Sequence, residues 1–266
     1  MALNNKKILK NSAIVYIRLI VTMLINLYTS RIVLEQLGVT DFGTYNIVAG
    51  ITALFSSIKT LFSSAIQRYY NYEIGYSNSP KKINTIFCLG FYIHLIFAII
   101  LTISLEIVGI WLLNNKLDIP IENFETAKWL FQMSVIGTIL SMLSVPFNAM
   151  IIAREKIGFF AILSMTDVVI KLGVALSLTF INEKLLYYGI GILLVGILNF
   201  IVEIIYCKRE FIECKLRVVW DKKLFKDLSK FAGWNFVGNI AFSLTNEISN
   251  VFLNIFGGVI ANASRG

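Results

Sequence analysis

The sequence has few charged residues, only three prolines and a single histidine. Charged residues make up 15% of its 266 residues, against about 25% in a typical soluble domain. Apolar residues make up 57%, and the mean hydropathy is +0.74. These values exclude an ordinary soluble enzyme and indicate that lipid surrounds much of the chain. Backbone polar groups cannot be hydrated inside a bilayer, so the membrane spans are predicted to be helices.

Three further absences narrow the function. With His94 as the only histidine, placed inside an apolar run, no Ser-His-Asp triad or multi-histidine metal site is predicted. No glycine-rich phosphate loop occurs, because Gly189 and Gly191 lie within an apolar stretch. We therefore predict no bound ATP and no cofactor. The cysteines form no disulfide or metal motif; they are Cys88, Cys207 and Cys214.

Seven apolar stretches are long enough to cross a bilayer core of about 30 Å. They cover residues 11–34, 44–66, 83–113, 126–152, 157–181, 185–206 and 231–256. The first begins like a secretory signal, but Arg18 interrupts it and no small-residue cleavage site follows. The sequence therefore predicts an all-α membrane protein of about seven transmembrane helices, the first of them uncleaved.

Basic residues concentrate in alternate connections between these stretches. Under the positive-inside rule those connections, and with them the N-terminus, are predicted to be cytoplasmic. The net charge of +8 is explained by this orientation, so no nucleic-acid partner is predicted. The basic residues concerned are Lys6, Lys7, Lys10, Arg68, Lys81, Lys82, Arg154, Lys156 and those of the segment 207–230.

The segment 207–230 is the longest connection and mixes basic with apolar residues. We predict that it lies on the anionic inner leaflet and links two bundles, with a partner-binding surface as the alternative. A shift of 220 residues aligns the first span weakly with the seventh, as expected for parallel repeats. The predicted organisation is a six-helix lobe (1–206), an interfacial linker (207–230) and the first helix of an incomplete second lobe (231–266), in a truncated product.

Polar residues recur on single faces of three predicted helices. The first span carries Arg18, Thr22, Asn26 and Thr29, and a second stripe runs from Asn46 to Gln67. For the polar faces of the first two spans, packing of small residues and a water-filled cavity are both open explanations. The seventh span favours a cavity, because it carries Asn235, Asn239, Ser243, Asn246, Asn250 and Asn254 on one face.

Charges inside the spans are the stronger signal, because an Arg or Lys near a helix centre costs at least about 2.5–3.5 kcal/mol. Arg18 and Lys59 have no acidic residue nearby in the sequence and predict a cationic cavity that attracts an anionic substrate. Asp167 and Lys171, four residues apart, predict an ion pair. A neutralised structural pair is the favoured reading, and an ion-coupling site is the alternative.

Four segments carry a family resemblance. The runs SRIVLEQLGVTDFGTYNIVAGI (Ser30–Ile51) and SSAIQRYYNYEIG (Ser63–Gly75) resemble the start of bacterial polysaccharide flippases that carry O-antigen-type repeat units. The segments FAGWNFVGNIA (Phe231–Ala241) and NIFGGVIANASRG (Asn254–Gly266) resemble the seventh span and following turn of the same family. The resemblance covers most of the chain.

The resemblance implies the fold of the multidrug/oligosaccharidyl-lipid/polysaccharide exporters, with two six-helix lobes around a central cavity. It implies an undecaprenyl-diphosphate-linked oligosaccharide as substrate, carried between leaflets of the bacterial cytoplasmic membrane, with membrane lipids and other polysaccharide-assembly membrane proteins as partners. Cationic residues line the cavity in such proteins, which matches Arg18, Arg31 and Lys59 by position. The predicted substrate-binding set adds the polar residues Asn26, Asn235, Asn239, Asn246 and Asn250.

Three alternatives remain open. A cation-coupled multidrug exporter of the same fold would favour an acidic residue in the first span, where this chain has Arg18. A membrane glycosyltransferase or polymerase would favour a long external loop with catalytic acids, whereas the longest predicted external loop is only about residues 114–125. The third alternative is a nonfunctional fragment.

Overall fold

The computed structural model describes residues 2–115, 119–219, 221–228 and 230, with the side chains of all these except 2–8, 51 and 53–62. Five long α-helices form the described fold, and no strand occurs within these ranges. They are α1 (Ala2–Tyr76), α2 (Pro80–Asn115), α3 (Phe124–Ala153), α4 (Ile157–Ser177) and α5 (Lys184–Glu210). Short 3₁₀ turns lie at Ile121–Asn123 and Leu178–Phe180.

Helix α1 contains the first two predicted spans, joined at a kink. Gly38 has φ 75° and ψ 173°, a conformation that residues with a Cβ rarely adopt. Hydrogen bonds from neighbouring helices hold both sides of this kink. Asn123 donates to Asp41 at 2.7 Å, and the Lys184 ammonium donates to Gln36 at 3.3 Å. Residues on both sides of the kink, such as Val33 and Val48, pack into the same apolar core.

The predicted all-α membrane fold is confirmed. Each of the first six apolar stretches is helical. Within the described residues, five helical segments are long and apolar enough to cross a membrane, the first reaching from Leu9 to Gly50 across the kink. The seventh stretch, 231–256, lies outside the described residues.

One half of the lobe has a tightly packed apolar core around the start of α3 and α5. Glycines allow close helix contacts here, because a Cβ would overlap a neighbouring side chain at Gly109 of α2 and at Gly189 and Gly191 of α5. A Cβ on Gly109 would lie 2.3 Å from the Phe131 ring, and one on Gly189 would lie 2.2 Å from Leu130. The core residues include Val33, Leu37, Leu105, Leu113, Leu130, Phe131, Leu178 and Leu185.

The other end of the lobe is held by ion pairs between different elements. We call it the basic end; it comprises residues 68–82, 154–156 and 207–219. Lys82 lies 3.7 Å from Glu73, while Arg154 pairs with Glu213 and Lys156 pairs with Glu210. These pairs join α1 to α2, the α3–α4 turn to the segment after α5, and the start of α4 to the end of α5.

The chain divides into two compact units, Met1–Asp221 and Lys222–Gly266. The first contains the six predicted spans together with residues 211–219, which follow α5. This segment begins with a turn at 212–213, closed by a hydrogen bond from the Cys214 N–H to the Phe211 carbonyl at 3.2 Å, and continues without a helix or strand. The described part of the second is a helical segment, 222–228, and residue 230. The division into lobe, linker and second lobe at 206 and 230 stays a prediction.

Candidate functional site

A cavity of about 710 Å³ opens inside the first unit, between α1, α3, α4 and α5. Its wall combines apolar side chains with hydroxyl, amide and charged groups, which is unusual within helices of this hydropathy. Its polar lining residues are Tyr45, Thr52, Ser63, Ser134, Thr138, Ser141, Ser144, Asn148, Ser164, Asp167, Lys171, Asn199 and Glu203.

An ion pair between two lining residues lies midway along α4. The Lys171 ammonium donates to one oxygen of Asp167 at 2.8 Å, and the Asn199 amide of α5 donates to the other at 2.5 Å. The ion pair predicted from the spacing is therefore present, and the cavity wall includes both of its members. The contact with Asn199 connects it to a second helix.

A second polar contact in the wall lies nearer the basic end. The Asn148 amide of α3 donates to Glu203 of α5 at 3.1 Å, and the Glu203 side chain is buried. The amide oxygens of Asn148 and Asn199 are buried without a hydrogen-bond partner among the described residues. Such carbonyl oxygens are expected to bind water or a cation, because leaving them unpaired costs free energy.

Arg18 lies against the cavity wall from α1. Its guanidinium donates to Ser164 at 3.4 Å and stands 5.0 Å over the Phe160 ring, a cation–π contact. Its Nε is buried without a hydrogen-bond partner, and no carboxylate forms an ion pair with it among the described residues. Arg18 therefore does not line the cavity itself, but it contacts two residues of the cavity wall, Ser164 and Phe160.

The other predicted substrate-binding residues lie elsewhere. Arg31 is 76% exposed, pairs with Glu35 at 3.0 Å and does not line the cavity, and Asn26 is exposed on α1. The side chain of Lys59 lies outside the described residues, as do Asn235, Asn239, Asn246 and Asn250. The structure thus associates Arg18, Asp167 and Lys171 with one cavity, and substrate binding by the whole set stays a prediction.

The sequence interpretation missed the polar residues of α3 and α5. Ser134, Ser141 and Asn148 of α3 recur every seven residues and face the cavity, and Asn199 and Glu203 of α5 are four apart. These spacings were visible in the sequence, but they lie in strongly apolar runs. Among the described residues, no three histidine, cysteine or acidic side chains come close enough to form a metal site.

Comparison with known proteins shows the family to which this chain belongs. The sequence model of the lipid II flippase MurJ family matches residues 62–263, which is most of the chain. This chain belongs to the lipid II flippase MurJ family. No curated protein sequence matches significantly.

Solved structures of transporters share the fold of this MurJ family member. A MOP superfamily transporter from Pyrococcus furiosus has a TM-score of 0.72 at 15% identity, over 97% of this chain and 57% of its own. An outward-facing multidrug resistance MATE family transporter has a TM-score of 0.72 at 16% identity, over 95% of this chain and 56% of its own. The chain thus spans less than two thirds of the length of these structures.

These matches confirm the coarser expectation from the sequence. The chain is a multi-pass membrane protein of a flippase family, and it has the fold of the MOP superfamily and MATE transporters compared above. The family model that matches is that of lipid II flippases, whereas the sequence resemblance pointed to O-antigen-type flippases.

Proposed function

We propose that this protein moves an undecaprenyl-diphosphate-linked oligosaccharide from the inner to the outer leaflet of the bacterial cytoplasmic membrane. The observation that carries the proposal beyond the family is Arg18, a cation without a carboxylate partner among the described residues, in contact with the wall of a large cavity that also carries polar groups. A diphosphate would supply the missing anion, because charge-assisted hydrogen bonds to guanidinium are among the strongest in proteins.

The polar wall suits the sugar part of such a substrate. Hydroxyl and amide groups from α3, α4 and α5 can exchange hydrogen bonds with sugar hydroxyls, while the polyprenyl chain stays in lipid. Arg31 and Lys59 are proposed to extend the cationic path, with Asn26, Asn235, Asn239, Asn246 and Asn250 hydrating the sugars. Alternating access between two lobes, with the N-terminus in the cytoplasm, would complete the transfer.

Ion coupling is proposed at the Asp167–Lys171 pair. The cavity places the amide oxygens of Asn148 and Asn199 in the same wall as the carboxylates of Asp167 and Glu203. Oxygen donors of this kind bind hard cations, and a carboxylate in such surroundings can also exchange a proton. A structural pair remains the alternative, and the double variant described in the Discussion separates the two.

The central test measures transfer of a fluorescent undecaprenyl-diphosphate oligosaccharide across proteoliposomes containing the protein from its full reading frame. We expect Arg18→Ala to slow transfer at least tenfold, which corresponds to about 1.4 kcal/mol, and Arg18→Lys to retain part of the rate. Lys128→Ala is the matched control, since Lys128 pairs on the surface with Glu125 at 3.3 Å. Equal rates for Arg18→Ala and Lys128→Ala would refute the assignment of Arg18.

A cation-coupled multidrug exporter is the second candidate, and the carboxylates of Asp167 and Glu203 in the cavity favour it. This candidate predicts ion-driven efflux of a cationic dye that is lost in Glu203→Gln and unaffected by Arg18→Ala. The proposed flippase predicts the reverse dependence on Arg18. A glycosyltransferase or polymerase is disfavoured by membership of a transporter family.

A further inference from the structure

The segment after α5 is fixed along the side of α2. We call residues 211–218 the strap. Asn84 donates to the backbone carbonyls of Glu213 and Lys215 at 2.6 and 2.7 Å. One turn further along α2, Cys88 accepts from the Arg217 backbone N–H at 3.3 Å, and one turn beyond that the Tyr92 hydroxyl donates to the Arg217 carbonyl at 3.1 Å. The strap therefore runs parallel to α2, from its start toward its middle.

This arrangement depends on a match of spacings. Four residues of an α-helix advance about 6 Å, and two residues of extended chain advance about 6.6 Å. Asn84, Cys88 and Tyr92 can therefore reach successive backbone groups of the strap. Because these side chains satisfy backbone groups that would otherwise need water, the strap can lie at the edge of a membrane at low cost.

The position of the strap relative to lipid follows from α2. This helix has 36 residues and is about 54 Å long, which exceeds a bilayer core of about 30 Å. Its large exposed apolar side chains begin at Leu95 and extend to Trp111. Tyr92 lies one turn before this apolar band, at the level where aromatic residues favour the membrane–water interface. The strap thus ends at the height of the lipid headgroups.

The outer surface of the strap has the composition of an interfacial segment. Ile212, Leu216 and Val218 are exposed, Val218 to 98%. Lys215 and Arg217 alternate with them and are also exposed, and neither is in an ion pair among the described residues. Apolar side chains would enter the acyl region while the basic side chains extend to the headgroups.

We propose that the strap is a binding surface for anionic phospholipid headgroups of the leaflet at the basic end, recognised by Lys215 and Arg217. The apolar residues of the strap continue the lipid-facing surface of α2, and the positive charge complements the phosphate. The proposal is independent of the transported substrate. It predicts that the surrounding lipid, through the strap, stabilises the junction between α2 and the segment after α5.

A fluorescence quenching experiment tests the proposal. The full-length protein carries a fluorophore at Val218→Cys in nanodiscs of phosphatidylcholine and phosphatidylglycerol, one of which is spin-labelled near the headgroup. The native cysteines are buried, so the introduced thiol is labelled selectively. We expect phosphatidylglycerol to quench at least fivefold more effectively per molecule, the factor that one basic residue contributes near an anionic surface. The preference should decrease with salt.

Two pairs of variants separate position from total charge. Lys215→Gln with Arg217→Gln should abolish the preference, and Lys215→Arg with Arg217→Lys should retain it. Lys208→Gln with Arg209→Gln removes the same charge from the last turn of α5 and should leave it largely intact. If both neutralised pairs lost the preference for phosphatidylglycerol equally, the preference would result from the total positive charge of the protein, and the proposal would be overturned. The proposal would also be overturned if aqueous iodide quenched a label at Val218→Cys as strongly as a label at Lys81→Cys.

Discussion

The two halves of the lobe are built from the same helices but differ in packing: one half is a packed apolar core, and the other contains the cavity. The first turns of helix α3 place Ala127 and Phe131 in the apolar core, and its later turns place Ser144 and Asn148 in the wall of the cavity. Helix α5 changes in the same way, from Leu185 in the core to Glu203 in the wall. The lobe thus combines a packed half with a cavity half, and the hydropathy averaged over a whole helix does not distinguish them.

Adding one methyl group to each half tests this comparison, and the largest effect is expected in the packed half. Gly109→Ala would place a Cβ 2.3 Å from the Phe131 ring, which has no room to move within the core. Overpacking of this kind costs about 1–3 kcal/mol. We expect a clear decrease in the midpoint of thermal unfolding in detergent, followed by loss of soluble protein on heating.

Gly137→Ala is the matched change in the cavity half. Gly137 lines the cavity and has no neighbouring atom within 4 Å of an added Cβ. Alanine within a helix is favoured over glycine by about 0.5–1 kcal/mol, so this variant should be unchanged or slightly stabilised. If both variants lost stability equally, the distinction between a packed half and an open half would be wrong.

The sequence predicts features that depend on neighbouring residues better than it predicts contacts between helices. The six helical spans and the Asp167–Lys171 pair follow from local rules, namely apolar length and four-residue spacing. The contacts Asn148–Glu203 and Asn199–Asp167 join residues 55 and 32 positions apart, and only tertiary packing brings them together. Glu203 is close to the end of its predicted span, where the sequence alone does not distinguish a surface position from a place in the cavity wall.

The second expected effect concerns the ion pair of the cavity half. The side chains of Asp167 and Lys171 are 23% and 33% exposed, so water screens the pair in part. Asp167→Asn or Lys171→Met alone leaves one charge uncompensated and should cost about 1 kcal/mol of unfolding free energy. The double variant removes both charges and should recover most of that stability, as measured by thermal unfolding of the purified protein.

Transport by the double variant then distinguishes the two roles of the pair. A structural pair predicts that stability and transfer rate recover together. A coupling site predicts recovered stability but a transfer rate that no longer responds to an imposed proton or sodium gradient. A double variant as unstable as the single variants would contradict the pairing itself.

The smallest expected effect tests how tightly the basic end holds the strap. Cys207 and Cys214 are fully buried, and a hydrogen bond between the two thiols, together with burial, raises the pKa of Cys214 well above its usual value. Maleimides react with the thiolate, so the native protein should label slowly at Cys214. Asn84→Ala removes two hydrogen bonds that hold the strap and should accelerate labelling severalfold.

The pH dependence gives this prediction a definite sign. The raised pKa keeps the thiol protonated in the folded protein at pH values at which the unfolded thiol, with a pKa of about 8.5, has already ionised. Its contribution to stability is therefore complete below about pH 8.5 and decreases as the pH rises further. Between pH 7 and 9 the labelling rate of the native protein should increase less than that of Asn84→Ala, in which Cys214 regains contact with water. Parallel pH profiles would show that Asn84 does not anchor the strap, and the lipid surface proposed for it would then lose its structural support.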